Sequence, residues 1–172
     1  GINLFIPEDP AVTNEETAAA TAAIAEYFAQ FDAPVPESVT NVMPDFDEQI
    51  TAVIESGIKL CSFHLGLGPQ SSIDALKNAG VVTVASVTSV AEGHEAEAAG
   101  IEFIIAQGSE AGGHRGTFLG DVMGGTVSTM VLVPQIARAV NIPVIAAGGI
   151  MDGRGIAAAF ALGASGVQLG TA

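Results

Sequence analysis

Short runs rich in β-branched residues recur along the chain: Ile2 to Ile6, Ile58 to Phe63, Val81 to Ser86, Ile101 to Ala106, Ile142 to Ala147 and Gly166 to Leu169. Each is too short for a helix and lacks the alternation of a half-exposed strand, so each predicts a parallel strand covered on both faces. Alanine-rich stretches lie between them. Thr13-Asn14-Glu15-Glu16 has the Thr-x-x-Glu form of a capping box and opens a helix expected to reach Gln30. Ser71 to Asn78, Ser89 to Ala99, Thr126 to Val140 and Gly153 to Leu162 are the helices expected after it. Several stop at a glycine that hands directly over to the next strand, as in Asn78-Ala79-Gly80 and Ala98-Ala99-Gly100. This alternation predicts an α/β fold with a parallel sheet, either open and doubly wound or closed as a barrel.

Two intervals are longer than a βα unit needs. Phe31 to Glu48 is acidic and Pro-rich and reads as an inserted loop or a short extra helix, while Gly108 to Gly125 holds seven glycines. Neither is long enough to build its own core, so residues 1–172 read as one domain. An eight-stranded (β/α)8 barrel takes about 250 residues. The expectation is therefore a partial TIM barrel, with two strands preceding Gly1 and a final helix following Ala172.

Composition narrows the partners. The chain has 5 basic and 19 acidic residues, a net charge of -14, so most of its surface repels a polyphosphate backbone and nucleic acid is not expected. Arg115, Arg138 and Arg154 nevertheless fall in the second half, near the glycine-rich ends discussed next. The single cysteine, Cys61, cannot form an internal disulfide and reads as a small core residue. No run approaches the ~20 apolar residues of a membrane span, and no signal sequence opens the chain. A soluble, cytoplasmic location without membrane association is the expectation, and homo-oligomerisation is left open. No His, Cys and Asp grouping has metal-ligand spacing, so no metal is expected.

In a barrel, functional residues sit at the C-terminal ends of strands, and phosphate is commonly held after the last two. Here those strands end in Ala147-Gly148-Gly149-Ile150 and Gln168-Leu169-Gly170-Thr171. Glycines let backbone N–H groups approach phosphate oxygens, the helix opening near Gly153 would add its N-terminal dipole, and Thr171 a hydroxyl. The alternative is that these are ordinary turn glycines. A second constellation, Gln107-Gly108-Ser109-Glu110-Ala111-Gly112-Gly113-His114-Arg115-Gly116, follows the strand at Ile101 to Ala106. The Gln107 amide could address the polar edge of a ring system, and His114 could move a proton near neutral pH, or could simply be a solvated loop residue. His64 ends a strand and could line the same pocket or be packed in a structural role. His94 reads as solvated, as do Glu110 and Asp121.

The motifs Gln107 to Gly116, Ala146-Ala147-Gly148-Gly149-Ile150 and Gln168-Leu169-Gly170-Thr171, with Ile2-Asn3-Leu4-Phe5 and Val82 to Val87, together resemble the nitronate monooxygenase family, formerly 2-nitropropane dioxygenases. The resemblance implies an FMN-dependent barrel enzyme that oxidises alkyl nitronates, such as propionate 3-nitronate, with O2 to a carbonyl compound and nitrite. It places Asn3, Gln107, Gly112, Gly149, Gln168, Leu169, Gly170 and Thr171 at FMN and His114 at the substrate, and the Gly148-Gly149 strand end adds Gly148 to the expected phosphate contacts. That histidine would act as a base toward neutral nitroalkanes and position nitronates that arrive already deprotonated. A flavin-dependent enoyl-ACP reductase shares the Gly-Gly-His loop and is the rival. An incomplete, inactive piece that binds FMN weakly is the third reading, because absent strands would leave sheet edges open.

Overall fold

The computed structural model describes residues 1–6, 12–35 and 44–170. Thr171 lies outside the described residues, as does most of the Pro-rich part of the first long interval. The contacts divide the chain into two compact units, one of residues 1–6 and 46–172, the other of residues 7–45.

The smaller unit contains helix α1 (Asn14–Gln30). Its capping box forms as the sequence predicts: Glu16 N donates to Thr13 Oγ1 at 3.2 Å and Thr13 N donates to the Glu16 carboxylate at 2.9 Å. Those bonds hold the Glu16 carboxyl below its ordinary pKa.

The larger unit runs β1 (Ile2–Phe5), α2 (Phe46–Glu55), β2 (Leu60–His64), α3 (Gln70–Asn78), β3 (Val82–Val87), α4 (Val90–Ala98), β4 (Phe103–Gln107), α5 (Thr129–Ala139), β5 (Val144–Ala147), α6 (Gly153–Ala161) and β6 (Gly166–Gln168). A 3-10 turn, Val122–Gly125, precedes α5. Helix α2 begins inside the interval read as an inserted loop or a short extra helix, and it runs past that interval's expected end at Glu48 to Glu55. Its apolar stripe is short, with Ile50 and Val53 supplying the buried contacts, and it begins inside the acidic interval that masks it.

All six strands are parallel and lie in the sheet in the order of the sequence. A doubly wound sheet reverses its strand order at a switch point, whereas a (β/α)8 barrel adds each strand beside the last. The order therefore assigns the fold to the barrel type. Side chains alternate across each strand. Cys61, Phe63, Ala85, Val87, Ile104, Ala106 and Ala146 face the helices, where Ile73, Leu76, Leu132, Val133 and Ile136 complete the main core. On the opposite face Val84, Ile105 and Ala147 form a second, smaller cluster with Val82, Phe103 and Ile145. Cys61 is fully buried, and burial raises its thiol pKa to about 11, which suits a core residue.

Candidate active site at the strand ends

A cleft of about 640 Å³ opens at the C-terminal ends of the strands. The residues that line it from the sheet are spaced by two, because one face of the pleat supplies them: Asn3 and Phe5, Ser62 and His64, Ser86, Ile105 and Gln107, Ala147, and Gln168. The loop after β4 adds Glu110 to His114, and the ends of β5 and β6 add Gly148 to Met151 and Gly170. Asn3, Gln107, Gly112, His114, Gly148, Gly149, Gln168 and Gly170, singled out from sequence, thus meet in one cavity. Leu169 does not line it. That residue follows the end of β6 and is 43% exposed. Ser62, Ser86, Phe5 and Met151 also line the cleft and carry no sequence signal beyond their strand positions.

The floor at β1 and β2 is set by register: Asn3 pairs with Ser62 and Phe5 with His64. Ser62 Oγ donates to Asn3 Oδ1 at 2.8 Å, which orients the carboxamide and leaves its N–H groups to other partners. The Phe5 ring meets the imidazoles of His64 and His114 edge-on, with centroids 5.5 and 5.6 Å away. His64 therefore lines the pocket, and it also has a structural bond. Its Nε2 lies 3.0 Å from the carbonyl oxygen of His114. A carbonyl only accepts, so Nε2 carries the hydrogen. Burial depresses the His64 pKa against that bond, and the neighbouring His114 and Arg115 depress it further. The neutral imidazole is favoured.

Gln107, 7% exposed, spends its amide on the loop. Nε2 donates to the His114 carbonyl at 2.9 Å and Oε1 accepts from Gly116 N at 2.8 Å. One N–H and one lone pair remain for any ligand in the cleft. Arg115 turns away from the anion role that its sequence position suggested. Its Nη1 donates to the Gly108 carbonyl at 2.7 Å and its Nη2 to the Gln107 carbonyl. The guanidinium thus ties down the end of β4, and its Nε is buried without a partner. Burial lowers its pKa, opposed by the charges of Glu92 and Glu110.

At the other end of the cleft, Gly148 and Gly149 take φ of +120° and +68°, a region that disfavours side chains. A Cβ on Gly148 would stand 2.7 Å from Thr129 Oγ1 and 3.0 Å from Ala111 N. By contrast, a Cβ on Gly170 or Gly112 would meet nothing within 4 Å. These two positions face open space. Helix α6 opens on a side-chain cap of its own. Asp152 caps it, accepting from Arg154 N at 2.9 Å and Gly155 N at 3.0 Å, and pairs with the Arg154 side chain at 3.0 Å. Its N-terminal donors already serve a carboxylate, whose pKa those bonds depress.

Glu110 and Asp121 are more than solvated loop acids. Asp121 caps the 3-10 turn through Met123 N at 3.2 Å. Glu110 accepts from Thr129 N at 2.8 Å and Thr129 Oγ1 at 2.9 Å, and so caps α5 from outside the helix. Glu92 was overlooked altogether. It has no exposed surface and binds four donors, as described below. Ser89-Val90-Ala91-Glu92 reads in sequence as a plain capping box, and nothing in that spacing says the carboxylate turns inward. His94 is exposed, as expected.

Residues 1–172 match the profile of the family described as nitronate monooxygenase. The chain belongs to the nitronate monooxygenase family. The probable nitronate monooxygenase of Staphylococcus saprophyticus is 42% identical over 173 residues, covering 99% of this chain and 49% of that protein. Among solved structures, a nitroalkane oxidase from Streptomyces ansochromogenes superposes with a TM-score of 0.84 at 34% identity, over 99% of this chain and 49% of that one. FabK from Thermotoga maritima superposes with a TM-score of 0.63 at 39% identity, over 97% of this chain and 49% of that one. This chain spans about half the length of the curated relatives it matches. Among the described residues no helix is long and apolar enough to cross a membrane, and no three His, Cys, Asp or Glu side chains gather as a metal site.

Proposed function

We propose that this chain carries the FMN-binding and substrate-facing part of a nitronate monooxygenase, which oxidises alkyl nitronates of the propionate 3-nitronate type with O2 to a carbonyl compound and nitrite. The observation that carries the reading is convergence. The glycine ends of β5 and β6 and the His114 loop, far apart in sequence, line one cleft in a chain of this family.

The residues present suit a flavin mononucleotide. The cleft volume lies within the roughly 300–1,000 Å³ of small-molecule sites. Gly148, Gly149 and Gly170 line the end of the cleft proposed for the phosphate, and Gly170 leaves open space against the backbone there. Asn3, Ser86 and Gln168 offer polar groups from the sheet, with the remaining N–H of Gln107. When bound, FMN supplies the redox chemistry with O2. His114 stands in the cleft wall, its ring against Phe5. There it takes the proton from the carbon bearing the nitro group of a neutral nitroalkane, and orients a nitronate that needs no deprotonation.

The experiment is FMN titration of the chain, followed by nitrite release from a nitronate under air with NADH monitored in parallel. Nitrite without NADH consumption is expected. NADH oxidation without nitrite would establish the reductase rival instead, and failure to retain FMN would favour the reading as an incomplete piece. His114→Asn should keep FMN and lose about 10²- to 10⁴-fold in turnover of neutral nitroalkane, with a smaller loss on preformed nitronate.

A further inference from the structure

Glu92 is a buried carboxyl group that the proposed function does not use. Fully buried in the first turn of α4, it faces no cation within bonding distance among the described residues. Its two oxygens are saturated by donors from two different segments. One accepts from Thr88 N at 2.6 Å and Thr88 Oγ1 at 2.9 Å, at the end of β3. The other accepts from Phe118 N at 2.7 Å and Leu119 N at 2.9 Å, on the loop that carries His114. Because the single Thr88 hydroxyl hydrogen goes to Glu92, the 2.8 Å contact between Thr88 Oγ1 and Thr117 Oγ1 must be donated by Thr117. Gly125 leaves room for this pair, since a Cβ there would fall 2.2 Å from Thr117 Oγ1 and 2.7 Å from Thr88 Oγ1.

With the Gln107 bonds, these contacts anchor each residue from His114 to Leu119. The His114 carbonyl and Gly116 N are held by Gln107, Arg115 by the end of β4, Thr117 by Thr88, and Phe118 and Leu119 by Glu92. On the other side of His114, Gly112 and Gly113 have nothing within 4 Å of a Cβ position, and Gly113 sits at φ +82°. The loop is fixed from His114 to Leu119 and again at Ser109 to Ala111, and it is open between them at Gly112 and Gly113.

We propose that Glu92 is a positioning residue: a buried carboxylate that pins the loop at Phe118 and Leu119 and thereby holds the His114 imidazole over the cleft. A carboxylate suits the place because all four partners are N–H or O–H donors, and an anion accepts from four where an amide accepts from two. Glu92→Gln keeps the shape but turns an NH2 toward either the Thr88 pair or the Phe118 and Leu119 pair, so one anchor fails. The catalytic arm of the inference rests on the function proposed above, whereas the exchange arm does not.

The first measurement is amide hydrogen exchange on the unaltered chain. Phe118 and Leu119 should exchange at least about 100-fold more slowly than Gly112 and Gly113, and equal rates would overturn the proposal without any variant. In Glu92→Gln, a rise of about tenfold or more in exchange at Phe118 and Leu119, with the core strands unchanged, supports it. Should that variant not fold, Thr117→Val, which removes only the Thr88 tie, should show the same local loosening in smaller measure. In the flavin-loaded protein, the ratio of kcat/KM for neutral nitroalkane to that for preformed nitronate should drop about 10- to 100-fold in Glu92→Gln, the scale of a misplaced catalytic group. An equal loss on both substrates would mark Glu92 as merely structural. If the unaltered protein releases no nitrite, the functional reading fails while the exchange data still decide the clamp.

Discussion

Close packing at a few glycines decides which parts of the site tolerate change. A Cβ on Gly108 would fall 1.9 Å from Thr129 Oγ1 and 2.5 Å from Thr129 N, so even truncating Thr129 leaves a clash with backbone. Gly108→Ala is expected to destabilise by about 1–3 kcal/mol in urea unfolding, and a Thr129→Ala background should not restore it. Gly112→Ala, at a position with nothing within 4 Å, should change stability by no more than about 0.5 kcal/mol. Since Gly112 faces the cleft, its added methyl should instead register in FMN titration as weaker binding. Gly116 belongs with Gly108, because a Cβ there would press within 2.8 Å of the His64 ring, the ring that holds the His114 carbonyl.

The elements carry the electrostatic predictions. Helix α5 has no side-chain cap of its own at Ser128, and Glu110 supplies one from the preceding loop. Partial burial alone would raise the Glu110 pKa, but the bonds from the Thr129 backbone and hydroxyl and from Ser109 outweigh it, and the carboxyl titrates below its ordinary value. A depressed folded pKa contributes stability that is present above the unfolded carboxylate pKa and lost as pH falls through the folded one. The Tm of the native chain should therefore exceed that of Glu110→Gln near neutral pH, and the gap should close on acidification below the ordinary carboxylate range. His64 works in the same direction, at a higher pH than the carboxylates. Its depressed pKa means that unfolding takes up a proton, so its contribution fades as pH drops below its ordinary value.

At the scale of the whole molecule, the sheet separates a packed face from a working one. The face toward the helices contains Phe63, Leu132 and Ile136, each under 2% exposed. Phe63→Ala or Leu132→Ala should cost about 2–5 kcal/mol, seen as an earlier unfolding midpoint in urea. The opposite face leads into the cleft, and its apolar cluster is smaller and less buried. Strand order is what brings the glycine ends of β5 and β6 opposite the ends of β1 and β2, so that one cavity collects residues from Asn3 to Gly170.

Local pattern alone was enough for the strands, most of the helices, the α1 capping box and the strand ends that line the cleft. Each depends on neighbours a few residues apart, and the hydrophobic runs and cap spacings record those directly. The extent of helix α2 escaped because its acidic, Pro-flanked start hides a short apolar stripe. Tertiary structure decided the rest. Nothing near Glu92 in sequence reveals that its partners are Phe118 and Leu119, and nothing near Arg115 shows that it turns back onto the end of β4. A charged side chain in this chain goes where unsatisfied N–H and carbonyl groups converge, and that convergence exists only once strands and loops distant in sequence have packed together.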